Sequence, residues 1–359
     1  MTKKIIFSGG GTGGHIFPAI DLMKHFSDKK YKTVLVTDKR GNNFIKSYSE
    51  FKLYVLNSGT PTNKNLIKKF FSYFLILYSI IRSIIILGKE KPDLILGFGG
   101  YVSFPISFAS KLFNLPLVIY ENNMVLGRAN KYLLPISKKI LVAKKIIQNF
   151  PEKYNNKICE VGTILNKDII NYSPLEKRSN EKNFSILVLG GSQGAEIFGA
   201  IIPKVIKMIK EAGHEIEINQ QCVVNQKNSI VDFYKKNNIK NYVFEFDKNI
   251  LKFILSSSLA ITRCGASTTA ELVHTQTPFI AVPLPNSIDN HQYLNAKYYE
   301  NKGCCWMLEQ DNFNTENLFN LIIEAVKNKN KLEYIRENMR KNYDNNVYNN
   351  IENEIKDYI

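Results

Sequence analysis

Short apolar runs alternate with longer stretches in which apolar residues recur at helical spacing, from one end of the chain to the other. The runs predict strands at 5–8, 33–37, 94–97, 117–120 and 140–142, and again at 186–189, 215–219, 242–246, 260–262, 279–283 and 304–308. The stretches between them predict helices, among them 18–26, 102–113, 196–211, 268–274 and 292–302. Strand–helix alternation with short apolar strands predicts parallel, doubly wound α/β sheets. A polar segment at 166–183, carrying Pro174 and many charges, separates two such series and reads as the interdomain linker region. After Phe313 two polar helical stretches run to Ile359 and are able to brace the first half. The expected division is an N-terminal domain over 1–163, with 342–359 packing back on it, and a C-terminal domain over 164–341.

Three glycine-rich turns join a predicted strand to a predicted helix: Gly9-Gly10-Gly11-Thr12-Gly13-Gly14-His15, Gly97-Phe98-Gly99-Gly100-Tyr101 and Gly190-Gly191-Ser192-Gln193-Gly194-Ala195. Such a turn aims free backbone N–H groups at one point, and the helix dipole adds roughly half a positive charge there. That point suits a phosphate or an oxyanion. The first turn also satisfies G-x-G-x-x-G through Gly9, Gly11 and Gly14, and Asp38 ends the next strand, so a dinucleotide site is one reading. Two features oppose it. His15 directly follows the last glycine, where the helix dipole disfavours an imidazolium and leaves a neutral ring able to accept a proton; a helix-cap histidine is the alternative. The second half also carries a phosphate-type turn of its own.

Further along, Arg263-Cys264-Gly265-Ala266-Ser267-Thr268-Thr269-Ala270-Glu271 follows a predicted strand. Gly265 lets a diphosphate approach, and Ser267, Thr268 and the first helical N–H groups suit its oxygens. Glu271, about one turn into the helix, suits a ribose diol or is simply a first-turn acid favoured by the dipole. Asp289-Asn290-His291-Gln292 reads either as sugar-contacting side chains or as a cap with polar neighbours.

Composition narrows the partners. The chain has 359 residues, 44% hydrophobic and 22% charged, which fits about two globular domains rather than disorder. Its net charge of +16 favours an anionic partner, namely nucleic acid, anionic lipid or a phosphorylated substrate. Five cysteines without C-x-x-C spacing suggest neither a disulfide framework nor a zinc site. The apolar stretch at Ile5 is too short for a signal peptide, so a cytoplasmic location is expected.

The stretch 70–87 is almost unbroken apolar and aromatic sequence around Arg82, flanked by Lys64, Lys68, Lys69, Lys89 and Lys91. As a membrane span it is barely long enough, and Arg82 opposes insertion by about 2.5–3.5 kcal/mol. Spanning would also separate the His15 and Tyr101 turns, which belong to one sheet. As a buried core helix it is too apolar on every face. The reading adopted is a helix packed on the sheet with one face turned to lipid and basic residues around it.

Taken in order, GGGTGGHIFPA at 9–19, GFGGYVSFP at 97–105, ENN at 121–123, GGSQGA at 190–195, RCGASTTAE at 263–271 and DNHQYLNA at 289–296 closely resemble the MurG family of GT-B glycosyltransferases. The likeness runs from Ile5 to about Lys341. It implies two Rossmann-like domains facing a cleft, with UDP-GlcNAc as donor on the second. The acceptor it implies is lipid I, the undecaprenyl diphosphate-linked MurNAc-pentapeptide, on the first. It carries Ser192, Ala266, Ser267, Thr268, Thr269, Ala270, Glu271 and Gln292 over as donor contacts. Thr12, Gly13, Gly14 and Asn123 carry over as first-domain cleft residues, with Asn166 at the interdomain crossing and Tyr101, Asn130 and Glu121 on the acceptor side. The uracil is expected near Phe246-Asp247. One departure stands out: where the family usually has an arginine the chain has Asn166, which cannot make a bidentate contact. Either Lys167 substitutes as a point charge or the diphosphate leans on the helix N-terminus.

The implied reaction is a single displacement with inversion, giving lipid II for peptidoglycan synthesis. His15 is the expected general base, with Glu121 as the alternative. No D-x-D motif ends a strand, so no metal and no cofactor is required. A peripheral seat on the cytoplasmic side of the cell membrane through 66–91 is expected. Two other enzyme readings are a different GT-B transferase and a dehydrogenase. A nucleic-acid binder would need aromatics interleaved with basic residues, whereas here they cluster in the apolar stretch, so no nucleic-acid partner is expected.

Overall fold

The structure, a computed structural model, describes residues 2–45, 51–57, 59, 66–172, 184–191, 195–247 and 249–359, without the side chains of 66–69. The chain forms two compact units: 1–166 together with 345–359, and 167–344.

In the first unit the order is β1 (Lys4–Ser8), α1 (Gly13–Asp28), β2 (Lys32–Thr37), α2 (Lys39–Ile45), β3 (Lys52–Val55), α3 (Leu66–Glu90), β4 (Leu94–Gly97), α4 (Ser103–Ala109), β5 (Leu117–Glu121), α5 (Arg128–Leu133), β6 (Lys139–Val142) and β7 (Ile158–Glu160). The second unit runs α6 (Lys167–Ile170), β8 (Phe184–Leu189), α7 (Glu196–Glu211), β9 (Ile216–Gln221), α8 (Lys227–Lys236), β10 (Lys240–Phe244), α9 (Ile250–Leu255), β11 (Leu259–Thr262), α10 (Ala266–His274), β12 (Phe279–Ala281), α11 (His291–Asn301), β13 (Cys305–Met307), α12 (Thr315–Lys327) and α13 (Lys329–Arg340). The closing helix, α14 (Val347–Ile355), belongs to the first unit. Three helices therefore follow Phe313, where two stretches were expected, because Asn314 and Asn328 each cap a new helix start through their side chains.

Both sheets are wholly parallel, in the orders β3-β2-β1-β4-β5-β6-β7 and β10-β9-β8-β11-β12-β13. Continuous Ile, Leu and Val runs bury both faces of the central strands, as in β4 and β5. The strand order reverses between β1 and β4 in one unit and between β8 and β11 in the other. At such a switch point neighbouring crossovers leave on opposite faces and open a crevice at the carboxyl ends of the strands. The glycine turns after β1, β4, β8 and β11 all lie at these points.

The closing helix is fastened by polar contacts: Tyr348 Oη donates to the Leu165 carbonyl at 2.7 Å, Asn350 Nδ2 to that of Val161 at 3.2 Å, and Lys139 pairs with Glu354 at 2.8 Å.

Helix α3 is built inside out. Its inner face holds Ser79, Ser83, Ile86, Leu87 and Glu90, all buried, while Phe70, Phe71, Phe74, Leu77, Tyr78, Ile81 and Ile85 are exposed. Glu90 anchors its end, pairing with Lys52 at 2.6 Å and Lys4 at 3.2 Å and accepting from Tyr54 Oη at 2.5 Å. Burial alone would raise the Glu90 pKa, but these hydrogen bonds outweigh it and hold the carboxyl at about 2.

Candidate active site

In the second unit the strand β11 ends in a turn that its neighbours hold rigid. Gly265 is the N-cap of α10 in extended backbone and brings no capping side chain of its own, and the first-turn N–H groups have no partners in the helix's own ladder. A Cβ at Gly265 would meet nothing within 4 Å. Gln292 Oε1 accepts from Cys264 N at 3.1 Å and from Leu284 N at 3.0 Å, leaving Nε2 as the donor this clamp does not use. Asn295, buried, donates Nδ2 to the Cys264 carbonyl at 3.1 Å. The sequence reading missed Asn295 and gave no role to Arg263, whose guanidinium donates to the carbonyls of Val282 and Pro283.

Of the donor contacts expected on α10, Ala266, Ser267, Thr268 and Glu271 are partly exposed. Thr269 and Ala270 are buried on the inner face of the helix, and Thr269 Oγ1 donates to the carbonyls of Gly265 and Ala266, each at 3.1 Å. Their side chains serve packing. Ser192 lies outside the described residues. Next to it Gly190 N donates to Gln221 Oε1 at 3.1 Å, and Gly191 has the positive φ of +80° that favours glycine. Phe246 is exposed, whereas the carboxylate of Asp247 is engaged locally by Tyr242 Oη at 3.1 Å and Asn249 N at 2.8 Å.

The first unit presents a different turn. Asp38 Oδ1 accepts from Gly11 N at 3.1 Å and from Gly41 N at 2.8 Å. The acidic residue of the dinucleotide fingerprint thus has one oxygen committed to the turn itself. Thr12 and Gly14 are exposed, Gly13 is buried, and His15 is partly exposed as the third residue of α1. The second turn backs this one: a Cβ on Gly99 would stand 3.1 Å from Cε1 and 3.2 Å from Nδ1 of His15, and one on Gly100 would stand 2.5 Å from the Gly10 carbonyl oxygen. These glycines let the β4 turn press against the imidazole.

Glu121 is buried and accepts four hydrogen bonds, from Asn123 N at 3.1 Å, Asn123 Nδ2 at 3.0 Å, Gly127 N at 2.9 Å and Asn130 Nδ2 at 3.0 Å. A carboxylate so occupied is a structural hub and is poorly placed to take a substrate proton. Asn130, also buried, donates Nδ2 to Glu121 and to the Tyr120 carbonyl, both at 3.0 Å, and so braces the β5 end. Tyr101 and Asn123 are partly exposed, and Asn166 donates Nδ2 to Asp21 Oδ1 at 3.3 Å.

Residues 5–142 match the glycosyltransferase family 28 N-terminal domain and residues 185–354 the C-terminal domain of the same family. A curated relative from Pelagibacter ubique (strain HTCC1062) is 35% identical over 94% of each chain, and one from Rickettsia canadensis (strain McKiel) is 35% identical over 94% of each. Both are named UDP-N-acetylglucosamine--N-acetylmuramyl-(pentapeptide) pyrophosphoryl-undecaprenol N-acetylglucosamine transferase. The chain belongs to the MurG family. The crystal structure of Acinetobacter baumannii MurG shares the GT-B fold, with a TM-score of 0.79 at 24% identity over 99% of this chain and 100% of that one.

Proposed function

We propose that the chain transfers GlcNAc from UDP-GlcNAc to the 4-hydroxyl of MurNAc in lipid I and so makes lipid II. The observation that carries the donor half is the turn at 263–271, which joins a helix start whose N-cap is a glycine with open space beside it to a side-chain clamp of neutral amides. Such a site stabilises a diphosphate through N–H groups and the helix dipole. As UDP departs, charge accumulates on its β-phosphate, and groups already aimed there favour the transition state over the ground state. The leaving group needs no metal on this reading. Ser267, Thr268, Glu271 and Gln292 are the proposed donor contacts, with the uracil near Phe246.

The acceptor half is assigned to the first unit. The MurNAc 4-oxygen attacks the anomeric carbon, the bond from that carbon to the β-phosphate oxygen breaks, and the configuration inverts. His15 takes the hydroxyl proton. Its support is its place at the start of α1, beside Gly13 and Gly14 and against Gly99. The neutral ring favoured there is the form that accepts a proton.

We further propose a peripheral seat on the cytoplasmic face of the cell membrane. The support is the exposed face of α3, extended by the exposed side chains of Phe108, Leu112 and Phe113 after β4, and the charge of +16. Though long and apolar enough to cross a membrane, α3 links β3 and β4, parallel strands of one sheet, and a spanning helix would place them on opposite sides.

A transfer assay with UDP-GlcNAc and a short-chain lipid I analogue tests the function. The expected product is a β-linked disaccharide, and transfer only to other acceptors would point to a different GT-B transferase. Vesicle sedimentation tests the seat: binding should be stronger to anionic than to neutral vesicles, and equal binding would remove the electrostatic part.

A further inference from the structure

Arg263 is buried and forms no ion pair among the described residues. Its guanidinium is instead satisfied by neutral groups. Nη1 donates to the carbonyls of Val282 and Pro283, both at 3.1 Å, and Nη2 donates to Gln310 Oε1 at 2.5 Å. The guanidinium carbon also stands 4.8 Å from the centre of the Phe198 ring at the start of α7. The Arg263 backbone N–H donates to the Leu189 carbonyl at 3.0 Å, and its Cβ lies 3.8 Å from the point where a side chain on Gly191 would begin. One residue thus joins the ends of β8, β11 and β12, the start of α7 and the segment after β13.

These contacts close a ring. Arg263 holds Val282 and Pro283; the next residue, Leu284, donates to Gln292 Oε1; the same oxygen accepts from Cys264, which adjoins Arg263. A single oxygen can bridge two backbone N–H groups only while the two segments keep their spacing. The fork of the guanidinium sets that spacing, and a lysine, with one flexible ammonium, cannot reproduce three fixed contacts. Burying an arginine merely as a bolt is costly where an apolar side chain would pack.

We propose that Arg263 is a positioning residue for the sugar-nucleotide donor: its fork fixes the Gln292 amide and the 263–265 turn relative to one another, and so aims Gln292 Nε2 and the α10 N-terminus at the donor. The inference rests on the donor assignment above, and it moves donor binding rather than the proton transfer.

The test compares wild type, Arg263→Lys and Gln310→Ala by UDP calorimetry, steady-state kinetics and thermal melting. For Arg263→Lys the UDP Kd and the UDP-GlcNAc KM should rise together by about 3- to 10-fold, the size of one or two weakened hydrogen bonds. The acceptor KM should not move, and kcat at saturating donor should hold. For Gln310→Ala the same two constants should rise by about 2-fold. A merely structural arginine would lower the melting temperature and the active fraction, hence kcat, with donor KM and UDP Kd unchanged; that result overturns the proposal. If Arg263→Lys does not fold, Gln310→Ala decides alone, and unchanged UDP affinity there overturns it. Wild type that fails to bind UDP overturns the donor assignment and this inference together, which separates the two failures.

Discussion

The turn after β1 and the turn after β11 use one device, a strand that passes through glycine into a helix, yet they are clamped by opposite chemistry. At the first, a carboxylate oxygen of Asp38 accepts from Gly11 N at 3.1 Å, and the nearby imidazole of His15 starts the helix. At the second, the amides of Gln292 and Asn295 do the clamping, and the buried cation of Arg263 stands behind them. A fixed carboxylate repels a diphosphate, whereas neutral amides and a cation do not. On the proposed function the same local backbone serves two ends: one turn presents a base to an alcohol, the other holds the diphosphate of the leaving group. A strand–glycine–helix fingerprint marks a phosphate-type cradle, and the two turns differ in the group that ties the cradle down, Asp38 in one and Gln292 with Asn295 in the other.

The largest expected effect breaks the division of labour directly. His15→Ala should lower turnover by about 10²–10⁴ while leaving UDP affinity intact, because removal of a general base costs that much. Near-normal turnover would assign the base elsewhere. Next, Gln292→Glu gives the second turn the character of the first: it keeps the bridging oxygen and adds a negative charge. A new negative charge beside the diphosphate should cost about 2 kcal/mol, roughly 30-fold in UDP affinity, with little change in melting temperature. Unchanged affinity would show that clamp charge does not select the ligand. Gly265→Val should fold normally, since its backbone is extended and a Cβ meets nothing within 4 Å, yet weaken UDP binding roughly tenfold by filling the approach, about 1.4 kcal/mol. The smallest effect belongs to the first turn. Asp38→Asn should cost about 1 kcal/mol of stability by weakening a charge-assisted clamp and leave UDP binding untouched. A gain in UDP affinity there would mean that both turns compete for the nucleotide.

Much of this was legible along the chain because it is local. Strand β4 and helix α7 fall where apolar alternation and helical spacing place them, and the glycine turns announce themselves by composition. What escaped is long-range or marginal. Strand β3 is a half-exposed edge with lysine and tyrosine, and β7 has three residues, so neither leaves an apolar run. The clamp of the second turn escaped for the other reason: Arg263 meets partners 19, 20 and 47 residues away, and no periodicity marks them. Thr269 and Ala270 share a motif with Ser267 and Thr268, and only the helical phase set by packing turns them inward. The unusual apolarity of α3 was visible, but its buried serines disclose which face it hides.

The most direct test of the donor assignment is a crystal structure of the protein with UDP bound. The account predicts the two phosphates within hydrogen-bond reach of the backbone N–H groups of Ala266 to Thr268, with Glu271 at the ribose. A diphosphate seated instead on Gly11 to Gly14, beside Asp38, would contradict it.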